Sequence, residues 1–117
     1  MTSSFDLVTL DTPHTDRLAT FWSAALDLVE VERDDVDRWL VLASRDGVRR
    51  LGLQRGEHRP GSIHLDLRCA PAEFGAERTR LLGLGATETR APRVEHYGSI
   101  ANLADPDGNL FDLCAYV

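Results

Sequence analysis

The chain carries one structural pattern twice, and that doubling restricts its fold more than any other feature. Leu7-Val8-Thr9-Leu10 aligns with His64-Leu65-Asp66-Leu67 at an offset of 57 positions, and Leu26-Asp27-Leu28 aligns with Leu84-Gly85-Ala86 at an offset of 58. A repeat of about half the 117-residue chain marks two similar modules rather than a solenoid. The length suits one domain built of two halves, about 5–55 and 62–117.

Each half reads as strand, helix, three strands. In the first, residues 5–11 alternate loosely as a strand, and Thr12-Pro13 supply an N-cap and a first-turn proline for a helix. Leu18, Phe21, Trp22, Ala25 and Leu26 recur at helical spacing and define its buried face. Residues 28–33, 38–44 and 49–55 read as strands, with a hairpin signal at Arg45-Asp46-Gly47. Residues 56–61, rich in Gly and Pro, form a linker. The second half restarts with a strand over 62–69. Pro71 opens a helix containing Phe74, Glu77, Arg78, Leu81, Leu82 and Leu84, which Gly83 and Gly85 end. Ala86–Thr89 reads as a short edge strand. Residues 98–104 and 109–117 form a hairpin around Pro106-Asp107-Gly108.

Alternation orients the side chains. Ile63, Leu65, Leu67 and Cys69 face the helices, and His64, Asp66 and Arg68 face away. On the last strand Phe111, Leu113 and Ala115 pack, while Asp112, Cys114 and Tyr116 share the other face. On the fourth, Leu51 and Leu53 pack, while Arg50, Gly52 and Gln54 do not. A sheet with helices on its convex face and polar residues on the other makes a cupped pocket for a small ligand. If the fifth and last strands are neighbours, His64 and Asp112 meet on its floor. An imidazole with a carboxylate suits a divalent metal or acid–base chemistry.

Composition removes several function classes. Thirteen basic residues against 19 acidic give a net charge of −6, a poor match for nucleic acid or an anionic membrane surface. No apolar run approaches the roughly 20 residues of a membrane span, and Met1–Phe5 has no signal-peptide character. A cytoplasmic location is the expectation. All 13 cations are arginine, so lysine Schiff-base chemistry is excluded and carboxylates must pair with guanidinium forks. Cys69 and Cys114 are expected on opposite faces, as free thiols.

Together these segments resemble the vicinal oxygen chelate superfamily of glyoxalase I, bleomycin-resistance proteins, fosfomycin-resistance enzymes and extradiol dioxygenases. The likeness spans the whole chain and is closest to the small glyoxalase-like proteins. It rests on Ala19–Leu26 in the first helix, Ile63–Leu67 in the fifth strand, Leu84-Gly85-Ala86 at the second helix end, and Ala104–Phe111 in the final hairpin. It implies an α+β fold of two βαβββ modules. In metal-using members the first, fourth, fifth and eighth strands each offer a ligand. Here those positions are Leu7, which cannot ligate, Gln54, His64 and Asp112. The resemblance thus implies a divalent metal (zinc, manganese, iron or nickel) on Gln54, His64 and Asp112.

His64 and Asp112 are accordingly the candidate catalytic pair, each weighed against a plain role in the pocket wall. Trp39, Asp66, Arg68, His96, Tyr97 and Tyr116 are candidate substrate contacts: Trp39 as an aromatic wall, His96 and Tyr97 as a loop at the pocket mouth. For each, ordinary core or surface duty is the competing account. Three functions follow: a lyase- or isomerase-type enzyme on a small oxygenated substrate, a metal-free ligand-sequestering protein of bleomycin-resistance type, or an interaction module without chemistry. Open edges at both modules favour pairing into a homodimer.

Overall fold

The computed structural model describes residues 5–34, 37–59 and 64–117. The chain divides after Arg59 into two compact units, Met1–Arg59 and Pro60–Val117. In the first, strand β1 (Val8–Thr12) leads to helix α1 (Thr15–Leu26) and strands β2 (Val29–Arg33), β3 (Trp39–Ala43) and β4 (Arg49–Arg55). The sheet order is β1-β4-β3-β2, with β1 parallel to β4 and the other pairs antiparallel. The second unit repeats it with β5 (Leu65–Arg68), a 3₁₀ turn at Pro71–Glu73, α2 (Phe74–Leu84), β6 (Thr87–Glu95), β7 (Gly98–Ala104) and β8 (Leu110–Tyr116). Its order, β5-β8-β7-β6, is the same arrangement. The fold is α+β, two βαβββ modules. Residues 62 and 63 of the expected fifth strand lie outside the described residues.

Burial follows the alternation. In the first unit α1 packs on β3 and β4 through Leu18, Ala19, Phe21, Trp22 and Ala25, and Leu40, Leu42, Leu51 and Leu53 are buried in those strands. Phe21 and Trp22 meet edge to face with ring centroids 5.1 Å apart. In the second, α2 packs on β8, and Leu81, Leu103, Phe111 and Leu113 form the buried set. Burying side chains of this size stabilises each module by about 1.5–3 kcal/mol apiece.

Two local expectations change. Thr12 does not cap α1: it ends β1 fully buried, and its hydroxyl accepts the His14 backbone N–H at 3.0 Å. The strand, driven by pairing with Arg55, overrides the cap signal. Glu30–Arg33 belong to β2, in line with the strand expected over 28–33. Arg33 there binds Asp16 at 2.8 Å, Glu30 at 2.6 Å, and Asp37, and these carboxylates raise its pKa further. The sixth strand is nine residues long, not four. It crosses Pro92 because it is an edge strand, where a missing N–H costs no ladder bond, and register shifts flank Arg90.

The final hairpin is held by one buried carboxylate. Asp105, 2% exposed, accepts the backbone N–H groups of Asp107 and Asn109, both at 2.9 Å, and the Asn109 side-chain amide at 2.8 Å. Gly108 takes φ 88° at the turn. Asp105→Ala leaves these donors unpaired and is expected to cost about 2 kcal/mol, read as a lower urea midpoint with an unchanged m-value.

Candidate functional site

Strand pairing carries a polar row across the second sheet, on the face away from α2. Arg90 of β6 lies opposite Asn102 of β7, Asn102 opposite Asp112 of β8, and Asp112 opposite Asp66 of β5. Neighbouring Leu103, Phe111 and Leu65 pair one step along and alternate to the packed face. His64 immediately precedes β5 and reaches diagonally into the row. Its Nε2 is 3.5 Å from Asp66 Oδ1 and 3.6 Å from Asp112 Oδ2. The expected meeting of His64 and Asp112 is present, with Asp66 as an equal third member.

Asp112 is the anchored member. Its side chain is 18% exposed, against 51% for His64 and 60% for Asp66. The Asn102 amide donates to Asp112 Oδ1 at 2.6 Å, and Arg93 Nη1 donates to Asn102 Oδ1 at 2.6 Å. Arg93 Nε in turn donates to Glu95 at 2.8 Å. This chain fixes the amide, because flipping it would set N–H against guanidinium and oxygen against carboxylate. It also leaves Asp112 Oδ2 turned to His64. The Asn102 amide thus satisfies Asp112. Asn102, Arg93 and Glu95 escaped the sequence reading. A polar Asn inside the apolar run Ile100–Ala104 is the signal that could have found Asn102.

The row opens on a depression of about 350 Å³ lined by His64, Thr89, Arg90, Arg93, Asn102 and Asp112, with exposed Leu110 as its apolar patch and buried Leu103 behind it. That is the low end of the range for small-molecule sites. The remaining candidates lie elsewhere. Arg68 stacks over Tyr116 at 5.2 Å from the ring centroid. Tyr97 packs against Tyr116 at 6.1 Å and His96 against Tyr97 at 5.3 Å. None of these four lines the depression. The Cys114 thiol, by hydrogen bonding, raises the Tyr116 phenol pKa. Cys69 and Cys114 are free, and burial with nearby Glu77 and Glu73 pushes the Cys69 thiol up.

In the first unit, Trp39 lies over Gly52, where a Cβ would come within 2.5 Å of its ring. The indole N–H donates to Glu32 at 2.6 Å, which together with Arg49 holds the Glu32 carboxyl below its usual value. Trp39 is thus a half-exposed wall on the face away from α1, not core. Gln54 lies opposite Trp39 on β4 and is exposed, and Leu7 is half-buried just before β1.

One ligand atom from each of His64, Asp66 and Asp112 lies within 4.8 Å of the others. Donors bound to one divalent ion at about 2.0–2.2 Å lie about 3–4.4 Å apart. Exposed His64 and Asp66 side chains can close that difference by rotation, so the set fits an ion. Two carboxylates and one imidazole suit manganese best and remain compatible with zinc, iron or nickel.

The structure of a glyoxalase/bleomycin resistance protein/dioxygenase family enzyme from Burkholderia phytofirmans superposes with TM-score 0.83 at 17% identity, covering 98% of this chain and 100% of that one. The fosfomycin resistance protein FosX from Mesorhizobium loti gives 0.77 at 19% identity, over 100% and 94%. A variant of FosX from Listeria monocytogenes, complexed with Mn(II) and a dihydroxypropylphosphonic acid, gives 0.80 at 19%, over 100% and 93%. At these identities the likeness shows a shared fold. No curated protein matches the chain in sequence. Among the described residues no helix is long and apolar enough to cross a membrane. The family described as the glyoxalase-like domain matches residues 7–114, and this match over most of the chain makes it a member of the glyoxalase-like domain family.

Proposed function

We propose that this protein is a lyase- or isomerase-type enzyme that moves a proton on a small oxygenated substrate bound over the His64–Asp66–Asp112 cluster. One observation carries the reading: an accessible imidazole sits within 3.6 Å of a carboxylate whose second oxygen is tied down by Asn102. His64 takes the proton from the substrate carbon at Nδ1, the ring nitrogen not turned to the carboxylates. Asp112 holds the imidazole and balances its charge once protonated, the division of labour of a positioned general base. Asn102 and Arg93 act through Asp112 as positioning residues. A divalent ion on His64 Nε2, Asp66 and Asp112 would occupy the imidazole as a ligand and would supply Lewis-acid polarisation of a substrate oxygen, the proton then passing to solvent base. The Mn(II) complex of the Listeria FosX variant supports that choice of ion. In this reading the chain acts in the cytoplasm as a homodimer, joined through its open strand edges.

Leu7 favours a second reading. It stands where the resemblance implies a metal ligand, and it is apolar. A metal-free, ligand-sequestering protein would keep the fold and lose the ion. The two separate in a turnover screen of small hydroxy and oxo compounds, run with Mn(II) or with chelator. The enzyme reading expects turnover that falls at least about 100-fold in His64→Ala. Undiminished turnover in that variant would overturn it. Saturable binding that ignores both chelator and His64 would establish the second reading.

A further inference from the structure

The polar row is charged unevenly, and its far end has no job in the proton transfer. Arg93 is compensated by Glu95 at 2.8 Å and spent on Asn102. Asp112 is satisfied by a neutral amide. Arg90 shares the same depression, is exposed, and among the described residues has no carboxylate partner. Asn102 stands between Arg90 and Asp112 in the register, so the two lie two strand spacings apart, about 10 Å along the row. An open guanidinium therefore faces the depression at one end, and the imidazole–carboxylate group faces it at the other.

Resting on the proposed reading of the His64 cluster, we infer that the substrate is a small acid whose own oxyanion pairs with Arg90. A planar guanidinium fork matches the two oxygens of a carboxylate or a phosphoryl group. The spacing then sets the size. An Arg90 side chain reaching inward from β6 shortens the gap between its fork and the His64 group well below the ~10 Å of the backbone row. The acid group therefore sits a few bonds from the carbon facing His64. The volume of about 350 Å³ agrees, and exposed Leu110 offers an apolar contact for a short substituent. Arg90 is a specificity-determining residue in this account. A neutral substrate would leave a bare cation facing its binding site and gain nothing from it.

The test is a titration of the ¹⁵N-labelled full chain with glycolate, pyruvate and methylphosphonate, and with neutral hydroxyacetone as control, followed by amide and His64 ring shifts. Wild type should bind at least one acid, moving His64, Arg90 and Asn102 resonances, and should bind hydroxyacetone about 10-fold more weakly or worse. Arg90→Gln should weaken the acid about 10-fold while leaving hydroxyacetone unchanged, as expected for one charge-assisted pair at an exposed site. Arg90→Lys should restore part of the loss. The carboxylate and phosphonate arms decide which oxyanion the fork prefers. Acid binding indifferent to Arg90→Gln, or hydroxyacetone bound as tightly as the acids at His64, would overturn the inference and leave the His64 reading standing. Failure of all four probes to move His64 would overturn both.

Discussion

Gly98→Ala is expected to be the most damaging single-methyl change in the chain, lowering stability by about 3 kcal/mol or more. Gly98 opens β7 opposite Tyr116, with φ 135°, a backbone conformation that is essentially glycine's own. A Cβ there would lie 2.0 Å from the Ala115 carbonyl oxygen and 3.0 Å from Tyr116 Cα. Both obstacles are backbone of the central strand β8, so neither can swing aside as a side chain would. Relief requires parting β7 from β8, and those strands carry Asn102 and Asp112. Thermal and urea unfolding of the variant should show a midpoint far below wild type or no folded baseline. A loss under 1 kcal/mol would mean that the β6–β7 turn does not hold Gly98 in this conformation.

The second large effect concerns metal. Asp112→Ala is expected to remove metal-dependent stabilisation entirely. The aspartate is the best buried of the three donors and the only one fixed from behind. At an ion concentration 100 times the dissociation constant, a single native-state site contributes about 2.7 kcal/mol, several degrees in Tm for a chain of this size. Asp112→Ala also orphans the Asn102 amide, so its metal-free midpoint should fall. His64→Ala, more exposed, should lose the metal shift while keeping a near-wild-type metal-free midpoint. Differential scanning fluorimetry with and without Mn(II) separates the two patterns.

The fold was legible because both modules wear their alternation openly. Leu65, Leu67, Phe111 and Leu113 alternate with Asp66 and Asp112, so the faces followed from parity, and the parallel β5–β8 pair brought His64 to Asp112. What parity could not supply was register. Asp66, not His64, stands directly opposite Asp112, and only the ladder shows it. Arg90 and Arg93 were hidden for a related reason. Register shifts on both sides of Arg90 break the two-residue period, and Pro92 made β6 look like a loop. Thr12 misled in the other direction: Thr-Pro is a sound cap signal, but burial at the end of a paired strand outweighed it. Tyr116 and Asp112 share a face, yet they serve different neighbourhoods because they lie at different levels along β8.

The central claim is that His64, Asp66 and Asp112 form a working centre in the second module. The most direct test is the metal content of protein purified without chelator, by mass spectrometry, together with thermal shifts against Mn, Fe, Co, Ni and Zn for wild type and His64→Ala. The account predicts near-stoichiometric metal in wild type, with the strongest stabilisation from Mn(II), and both lost in His64→Ala. Wild-type protein that holds no metal and gains no stability from any of the five ions would contradict it.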